Sequence, residues 1–349
     1  MPRTRTRPRH VLVTGGAGFL GSHLVERLLH DGDRVTVLDD LSTGDRANLR
    51  GVEGHPRLDV RIGDVREMPD LDVDAIAHLA CPASPLHYQR DPMRTLDVQT
   101  IGTRAVVDLA AAHGARFLLA SSSEVYGDPD VHPQPERYRG AVATQGPRAC
   151  YDEGKRVAET YAWIAGHQVG VDVRIARIFN TYGPRMRPGD GRVVSTFVLQ
   201  GLRNEPFTVF GDGTQTRSFC YVDDTVEALV RLLNAPADRD GVHAPVNVGR
   251  PDERTLLALV DLVREVTGST AGVTYLPRPV HDPVRRQPDV ARAAALLDWR
   301  PTVALEDGLR RTTAAFAPLA AHHAPPPPEA AWPIGSAVPA PFARPEGGR

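Results

Sequence analysis

The sequence predicts an α/β fold, with a doubly wound parallel sheet and a smaller C-terminal α/β substrate lobe. Short apolar runs alternate with longer helical patterns between residues 10 and 180, which is typical of βαβ units. Turn-rich segments follow Asn180 and separate shorter strands and helices. We therefore expect a sheet domain over residues 10–180, to which some later segments return, and a lobe formed mainly by residues 181–316.

The elements of the sheet domain follow from the spacing of apolar residues. Strands are predicted at residues 11–14, 34–38, 58–62, 75–79, 116–120 and 171–178. Helices are predicted at residues 95–113 and 151–166. Residues 1–9 are expected to form a disordered lead. Residues 317–349 are expected to form a disordered tail, because a composition rich in Pro and Ala cannot build a core.

The overall composition argues against several classes of protein. The 349 residues carry a formal net charge of −2, so neither nucleic acid nor an anionic membrane is an expected partner. No run approaches the roughly 18 apolar residues of a membrane span, and no apolar signal-peptide core is present. The three cysteines are odd in number and widely spaced, which indicates a reducing compartment without disulfides or zinc. We therefore expect a cytoplasmic protein without a metal site.

A glycine-rich turn after the first strand predicts a dinucleotide site. Gly15, Gly18 and Gly21 precede an amphipathic segment, so that the backbone can approach a pyrophosphate at the start of a helix. Taken alone, the glycines fit an ordinary βα turn equally well. Asp39 ends the second strand 18 residues after Gly21, close to where a carboxylate meets the adenosine ribose. Because no arginine stands in the turn 39–44, NAD is favoured over NADP.

The expected cofactor contacts lie beyond the carboxyl ends of the strands of this Rossmann-type sheet. Asp64 follows the third strand, where it would meet the adenine, and Leu79 and Ala80 follow the fourth strand near the middle of the cofactor. The residues predicted to bind NAD are Gly15, Gly18, Phe19, Leu20, Gly21, Asp39, Asp40, Ser42, Thr43, Gly44, Asp64, Val65, Leu79, Ala80, Tyr151 and Lys155.

Two further motifs predict proton transfer at the same edge of the sheet. Tyr151 and Lys155 share one face of a predicted helix, so that the ammonium group, with a positively charged nicotinamide, favours the phenolate. Such a phenolate can remove a proton from a sugar hydroxyl. Ser122, Ser123 and Glu124 follow the fifth strand, where the serines can bond the reacting hydroxyl. Each motif is common by itself, but their order along the chain makes chance a poor explanation.

This order of motifs resembles the extended short-chain dehydrogenase/reductase superfamily, whose members act on nucleotide sugars. The match is closer to the UDP-glucuronate decarboxylases, also called UDP-xylose synthases, over about residues 10–316. The pair Ser123-Glu124 distinguishes the decarboxylases from related enzymes of the superfamily. At this position the resemblance implies Asp-Glu in 4,6-dehydratases and usually no acid in 4-epimerases. The segments that carry the resemblance are residues 78–85, 118–129, 146–160, 174–186, 190–195 and 213–224.

The resemblance implies an NAD-dependent decarboxylation of UDP-glucuronate to UDP-xylose and CO₂, through a 4-keto intermediate and with NAD recycled. Tyr151 would be the base at the C4 hydroxyl, and Glu124, or a water it holds, would protonate C5. The catalytic residues implied are Ser122, Ser123, Glu124, Tyr151, Lys155 and Arg286. The substrate-binding residues implied are Tyr88, Ser123, Glu124, Asn180, Arg192, Phe210, Gln215, Arg217 and Arg286.

The chain departs from these decarboxylases at several positions. Gln99 stands where the family usually has Asn, Asp97 where Lys is common and Ser122 where it has Thr, and residues 139–145 lack the family's Trp and Asn. These departures concern packing around the sugar more than the reaction.

Two alternatives stay open, namely a 4-epimerase or 4,6-dehydratase on a related nucleotide sugar, and a non-catalytic NAD-binding regulator. Family members usually form homodimers through the helices at about 95–113 and 151–166, so a homodimer is expected. The apolar positions of these helices suit packing within one chain equally well.

Overall fold

The computed structural model describes residues 8–278 and 285–323 of the chain. Its strands are β1 (His10–Thr14), β2 (Arg34–Asp39), β3 (Leu58–Ile62), β4 (Ala75–His78), β5 (Arg116–Ser122), β6 (Val173–Ile178), β7 (Thr181–Tyr182), β8 (Phe207–Phe210), β9 (Thr216–Ser218), β10 (Cys220–Tyr221), β11 (Val246–Val248), β12 (Glu253–Thr255), β13 (Val273–Leu276) and β14 (Arg285–Arg286). Its helices are α1 (Phe19–His30), α2 (Pro85–Tyr88), α3 (Pro92–Asp97), α4 (Thr103–His113), α5 (Ala149–Ile164), α6 (Val193–Leu202), α7 (Val222–Asn234), α8 (Leu256–Thr267), α9 (Ala291–Leu297) and α10 (Leu305–Phe316).

Within the described residues, seven strands form one parallel sheet in the order β11-β6-β5-β4-β1-β2-β3. Helices cover both faces, and the central strands are therefore apolar on both sides. In β1, Val11 and Val13 belong to the core on one face and Leu12 belongs to the core on the other face. The predicted doubly wound α/β fold is confirmed.

The predicted strands are present in the sheet, and their ends differ from the prediction by at most two residues. The sequence did not predict β11, because three residues are too few for a periodic signal and its place beside β6 is a long-range pairing. The predicted helix 95–113 is divided by a π-helical turn at Val98–Gly102. The helix predicted from residue 151 begins at Ala149, and a second π-helical turn, Ala165–Val169, follows its end.

The ordered chain extends beyond both predicted limits. Arg9 is buried, because its guanidinium pairs with Asp33 at 2.6 Å and donates to Asn234 at 2.7 Å. After α10, Arg203 donates to the Ala320 carbonyl at 3.0 Å and holds a turn at residues 317–322. The predicted lead 1–9 and tail 317–349 were therefore too long, and residues 1–7 and 324–349 lie outside the described residues.

Later segments build a smaller lobe beside the carboxyl ends of the sheet. β8 pairs with β13, β9 pairs with β12 and β14, and α6 packs against α8 and α10. By contrast, β11 joins the sheet, and α7 packs on α1 and β5. Among residues 8–278 and 285–323, no helix has both the length and the hydropathy of a membrane span. The cytoplasmic location stays a prediction.

Candidate active site

A cavity of about 650 Å³ lies between the carboxyl ends of the sheet strands and the smaller lobe. Residues at the ends of β1, β2, β4, β5 and β6 line one side, and residues of β8, β9 and β14 line the other. Every predicted site residue, from Gly15 to Arg286, lines this cavity except Asp64. The fold thus brings together residues that stand far apart in the sequence.

The glycine turn leaves no room for side chains. A Cβ atom on Gly21 would lie 2.1 Å from the Gly15 carbonyl oxygen, and one on Gly15 would lie 2.8 Å from the Ala80 amide nitrogen. Gly15 also has a φ of +70°, which side chains rarely adopt. No side chain caps α1 at Gly18, so the first N–H groups of the helix are available to an anion. This cradle fits the pyrophosphate of a dinucleotide.

Asp39 supports this turn from the end of β2. Its two carboxylate oxygens accept hydrogen bonds from the Ala17 and Leu41 amides, both at 2.9 Å. Burial raises the pKa of Asp39, and the two N–H donors oppose that shift. Because each carboxylate oxygen has a further lone pair, Asp39 can also accept a ribose hydroxyl.

Asp64 does not line the cavity, and the contact of its side chain with the adenine stays a prediction. Arg66 and Arg94 pair with its carboxylate at 2.8 and 2.9 Å. The hydrogen bond from Arg66 is the main cause that lowers the pKa of Asp64 to about 2. The neighbouring Val65 lines the cavity instead. Arg94 also pairs with Asp40 at 2.6 Å, a contact between α3 and the end of β2 that no local motif indicates.

Tyr151 lies in the first turn of α5 and is almost fully buried. Its hydroxyl bonds to Ser122 at the end of β5, and its ring stacks on Tyr88 with centroids 5.1 Å apart. Lys155 Nζ lies 5.7 Å from the centroid of the Tyr151 ring and donates to the Ala120 carbonyl at 2.8 Å. Burial raises the pKa of Tyr151, and the hydrogen bond from Ser122 opposes this shift. The residues of this chain therefore keep the phenol protonated, although Lys155 was expected to favour the phenolate.

Two arginines clamp Glu124 at the other end of the reactive region. Arg148 Nη2 donates to one carboxylate oxygen of Glu124, and Arg286 Nη1 donates to the other. Burial disfavours the charge of Glu124, but the two guanidinium groups outweigh it and lower the pKa of Glu124 to about 2. Glu124 is therefore a carboxylate at neutral pH, and it cannot itself supply the proton that the sequence-based mechanism allowed it to give.

The residues predicted to bind the nucleotide and the sugar approach from the smaller lobe. Gln215 donates to the Phe210 carbonyl, and this hydrogen bond joins β8 to the turn before β9. Arg192 pairs with Asp190 at 2.6 Å just before α6, so its charge is already neutralised. The remaining predicted substrate residues that line the cavity are Tyr88, Ser123, Asn180 and Arg217.

The sequence did not single out several residues of the cavity wall. Arg148 stands three residues before Tyr151, and an arginine at the start of the Tyr-x-x-x-Lys helix was the available signal. Ser84 and His87 also line the cavity, and each has a buried polar atom without a partner in the described part of the chain.

Comparison with known proteins identifies the family. The model of the NAD dependent epimerase/dehydratase family matches residues 11–249. This chain belongs to that family. It is 49% identical to UDP-glucuronic acid decarboxylase 1 of Danio rerio over 316 residues, which are 90% of this chain and 74% of the relative. It is 51% identical to UDP-glucuronic acid decarboxylase 1 of Arabidopsis thaliana over 306 residues, which are 88% of this chain and 69% of the relative.

Two solved structures of similar proteins have the same fold as this chain. UDP-glucuronic acid 4-epimerase from Bacillus cereus, in complex with UDP-glucuronic acid and NAD, superimposes with a TM-score of 0.78 at 27% identity and covers 89% of this chain and 99% of its own. The dTDP-glucose 4,6-dehydratase from Streptomyces venezuelae, with NAD bound, gives 0.79 at 29% identity and covers 88% and 96%. The expected Rossmann-type fold, the NAD cofactor and the resemblance to UDP-glucuronate decarboxylases are confirmed.

Proposed function

We propose that this enzyme converts UDP-glucuronate to UDP-xylose and CO₂, with NAD bound and recycled. The clamp of Glu124 between Arg148 and Arg286, in the same cavity as Tyr151, carries the proposal. The clamp provides guanidinium groups for a sugar carboxylate. Directly before Glu124 stands Ser123, where the family resemblance implies an Asp in 4,6-dehydratases. The names of the relatives at 49% and 51% identity favour the same reaction.

We assign cofactor binding mainly to residues 10–180 and nucleotide-sugar binding mainly to residues 181–316. The glycine cradle and Asp39 would hold the pyrophosphate and the ribose of NAD, while Leu79 and Ala80 would contact its middle. When bound, NAD supplies the oxidation of the sugar at C4 and the reversal of that oxidation. The proposed contacts of the uridine diphosphate are Asn180, Phe210, Gln215 and Arg217.

Tyr151 removes the proton from the C4 hydroxyl. Its own surroundings keep the phenol protonated, so the cationic nicotinamide must provide the additional positive charge that stabilises the phenolate. Ser122 bonds the tyrosine hydroxyl, and Lys155 is held beside the ring by the Ala120 carbonyl. These contacts fix the direction in which the proton moves.

The resulting 4-keto sugar carries its carboxylate β to the ketone. The C5–C6 bond breaks, its electron pair moves into an enolate, and protonated Tyr151 donates to the developing oxyanion. Arg286, which lines the cavity beside Glu124, holds the carboxylate before it leaves. Because Glu124 is ionised, a water held by Glu124 gives the proton to C5.

The deciding experiment incubates the purified protein with NAD⁺ and UDP-glucuronate and measures CO₂ and the nucleotide-sugar product by NMR. CO₂ and UDP-xylose in equal amounts are expected. An inverted hexuronate without CO₂ would identify a 4-epimerase, and a 4-keto-6-deoxy product from a related nucleotide hexose would identify a dehydratase. Absence of any conversion would favour the non-catalytic regulator.

We also propose that the enzyme forms a homodimer through α5 and the helical segment at about residues 95–113. Ile101, Trp163 and Ile164 are 53%, 54% and 37% exposed on these helical segments, where a partner subunit would cover them. Light scattering should give about twice the chain mass of 37.9 kDa. Trp163→Glu with Ile164→Glu should give a monomer, and a wild-type protein that is already monomeric would contradict the proposal.

A further inference from the structure

A second buried carboxyl group lies behind the clamp of Glu124. Asp152 stands one helical turn after Arg148 on α5, and its Oδ2 lies 3.6 Å from Arg148 Nε. Arg148, Glu124 and Arg286 line the cavity, whereas Asp152 does not. Because Asp152 lies outside the cavity lining, it can affect a bound substrate through its contact with Arg148 and through its own charge. We refer to these four residues as the carboxyl clamp.

The carboxyl clamp contains two guanidinium groups and two carboxyl groups, all of them largely buried. Its net charge is zero when Asp152 is ionised and +1 when Asp152 is protonated. Glu124 has a guanidinium partner on each oxygen, but Asp152 Oδ1 is buried without a partner in the described ranges. A buried carboxylate with one unpaired oxygen is costly, so Asp152 is the member of the clamp that gains a proton most readily.

The surroundings of Asp152 also favour its protonated form. Burial and the nearby negative charge of Glu124 raise the pKa of Asp152 to about 7, although Arg148 and Arg286 oppose the shift. The other titratable groups that interact with Asp152 are Cys150 and Tyr151 on its own helix and Tyr88 on α2. Burial raises the pKa of all three of these groups, so they stay neutral near pH 7.

We propose that Asp152 is a positioning residue that sets the net charge of the carboxyl clamp, and with it the balance between binding the substrate carboxylate and releasing it as CO₂. This inference rests on the proposed function. An additional positive charge stabilises the substrate carboxylate. When the C5–C6 bond breaks, its electron pair moves to the sugar enolate and the carboxyl carbon leaves as neutral CO₂. The same positive charge therefore stabilises the bound substrate more than the transition state and slows the reaction.

The first test compares two ligands that differ by the carboxylate. In a Tyr151→Phe background, in which turnover is expected to be slower by a factor of about 10² to 10⁴, the Kd values of UDP-glucuronate and UDP-xylose are measured by calorimetry. Adding Asp152→Asn should strengthen the preference for UDP-glucuronate about tenfold, the order expected for one charge in a partly buried site. Glu153→Gln removes the same charge from the next residue of α5, which pairs with Arg156, and it should leave the preference unchanged.

The second test follows the same preference with pH. In the Tyr151→Phe protein, the preference for UDP-glucuronate should increase from about pH 8 to about pH 6, because protonation of Asp152 removes a negative charge from the clamp. The substrate carboxylate stays ionised over this range, and changes at the diphosphate cancel between the two ligands. With Asp152→Asn added, the preference should not depend on pH.

The third test uses turnover. Asp152→Asn should lower both KM for UDP-glucuronate and kcat, whereas a loss of structure would raise KM. Asp152→Ser, which also removes the charge, should reproduce the result if the Asn variant folds poorly. An unchanged ligand preference in both variants would overturn the role of Asp152. If the Tyr151→Phe protein does not bind UDP-glucuronate and the wild type releases no CO₂, the proposed function fails instead.

Discussion

Burial controls the ionisation of the reactive side chains in this enzyme. The phenol of Tyr151 is enclosed by Tyr88, Ser122 and the start of α5, and its pKa is raised. By contrast, Glu124 has two guanidinium partners that outweigh the effect of burial, and its pKa is lowered. Among the residues of this chain alone, the tyrosine therefore keeps its proton and the glutamate does not, so the phenolate needs additional positive charge from the bound cofactor.

At this residue scale, replacing Tyr151 tests the proposed base. Tyr151→Phe should reduce kcat by a factor of about 10² to 10⁴, the usual contribution of a general base. NAD should stay bound, because the ring that stacks on Tyr88 is retained and the glycine cradle is unchanged. CO₂ release measures the first effect, and the absorbance of NAD freed by denaturation measures the second. Near-normal turnover would rule out Tyr151 as the base.

His78 provides a prediction about stability and pH. It is buried at the end of β4, with its two ring nitrogens 2.8 and 3.2 Å from the hydroxyls of Thr14 and Thr103. Burial, assisted by the charge of Lys155, lowers the pKa of His78 from 6.5 to about 3. Between these values the unfolded chain binds a proton that the folded chain does not bind, so stability falls as the pH decreases from 6.5.

Urea unfolding of wild type and His78→Gln at about pH 7 and about pH 5 tests this prediction. The wild type should lose about 2 kcal/mol more than the variant over this interval, as the linkage relation gives for a single histidine. The exposed His30, replaced in the same way, serves as the control and should leave the pH dependence as in the wild type. Equal losses in wild type and His78→Gln would contradict the prediction.

At the scale of elements, close backbone contacts place the helices on the sheet. The glycine turn brings α1 against the end of β1, and Gln99, in the π-helical turn before α4, donates to the Cys150 carbonyl of α5 at 3.1 Å. A Cβ on Gly154 would lie 2.4 Å from Gln99 Nε2. The Asn-to-Gln departure seen in the sequence thus lies where two helices meet beside Tyr151.

Gly21→Ala tests the contact between α1 and the turn. Alanine ordinarily stabilises a helix relative to glycine by about 1 kcal/mol. Here its Cβ would lie 2.1 Å from the Gly15 carbonyl oxygen, so α1 must move and the cradle must open. We expect a lower melting temperature and loss of copurified NAD. Gly272→Ala, where no atom lies within 4 Å of the added Cβ, should change neither property.

At the scale of the whole molecule, the sheet and the smaller lobe share one core. The buried cluster that contains Val11 of β1 also contains Phe207 of β8 and Phe316 of α10. Tyr182 donates to the Leu305 carbonyl at 3.0 Å and joins β7 to the last helix. The sheet and the smaller lobe, which line the cavity from opposite sides, are therefore packed against one another.

The shared core predicts one unfolding transition. Calorimetry of the cofactor-loaded protein should give a single peak whose calorimetric and van't Hoff enthalpies agree. Addition of UDP-xylose should shift the whole peak upward, because a ligand that binds only the folded state stabilises it. Two separate peaks, or a shift confined to part of the transition, would show that the lobe unfolds on its own.

Many residues that line the cavity stand in local motifs, and for this reason the sequence predicts them. Gly15, Gly18 and Gly21 mark a turn, and Tyr151 and Lys155 mark a helix face. Arg94 and Arg148 belong to no such motif. Arg94 gains its role from Asp40, 54 residues away in the chain, and Arg148 gains its role from Glu124, 24 residues away. The pairing of Arg94 with Asp64 likewise joins two elements, 30 residues apart in the chain.

The amino-acid sequence predicts the α/β class, the order of the motifs along the chain, the family and the residues with reactive groups. These properties depend on apolar periodicity and on residue types at short spacing, which the chain carries locally. The ionisation of Tyr151, Glu124 and Asp152 and the place of β11 in the sheet follow from the three-dimensional structure instead. These properties depend on burial and on charges from distant segments, and folding alone brings those segments together.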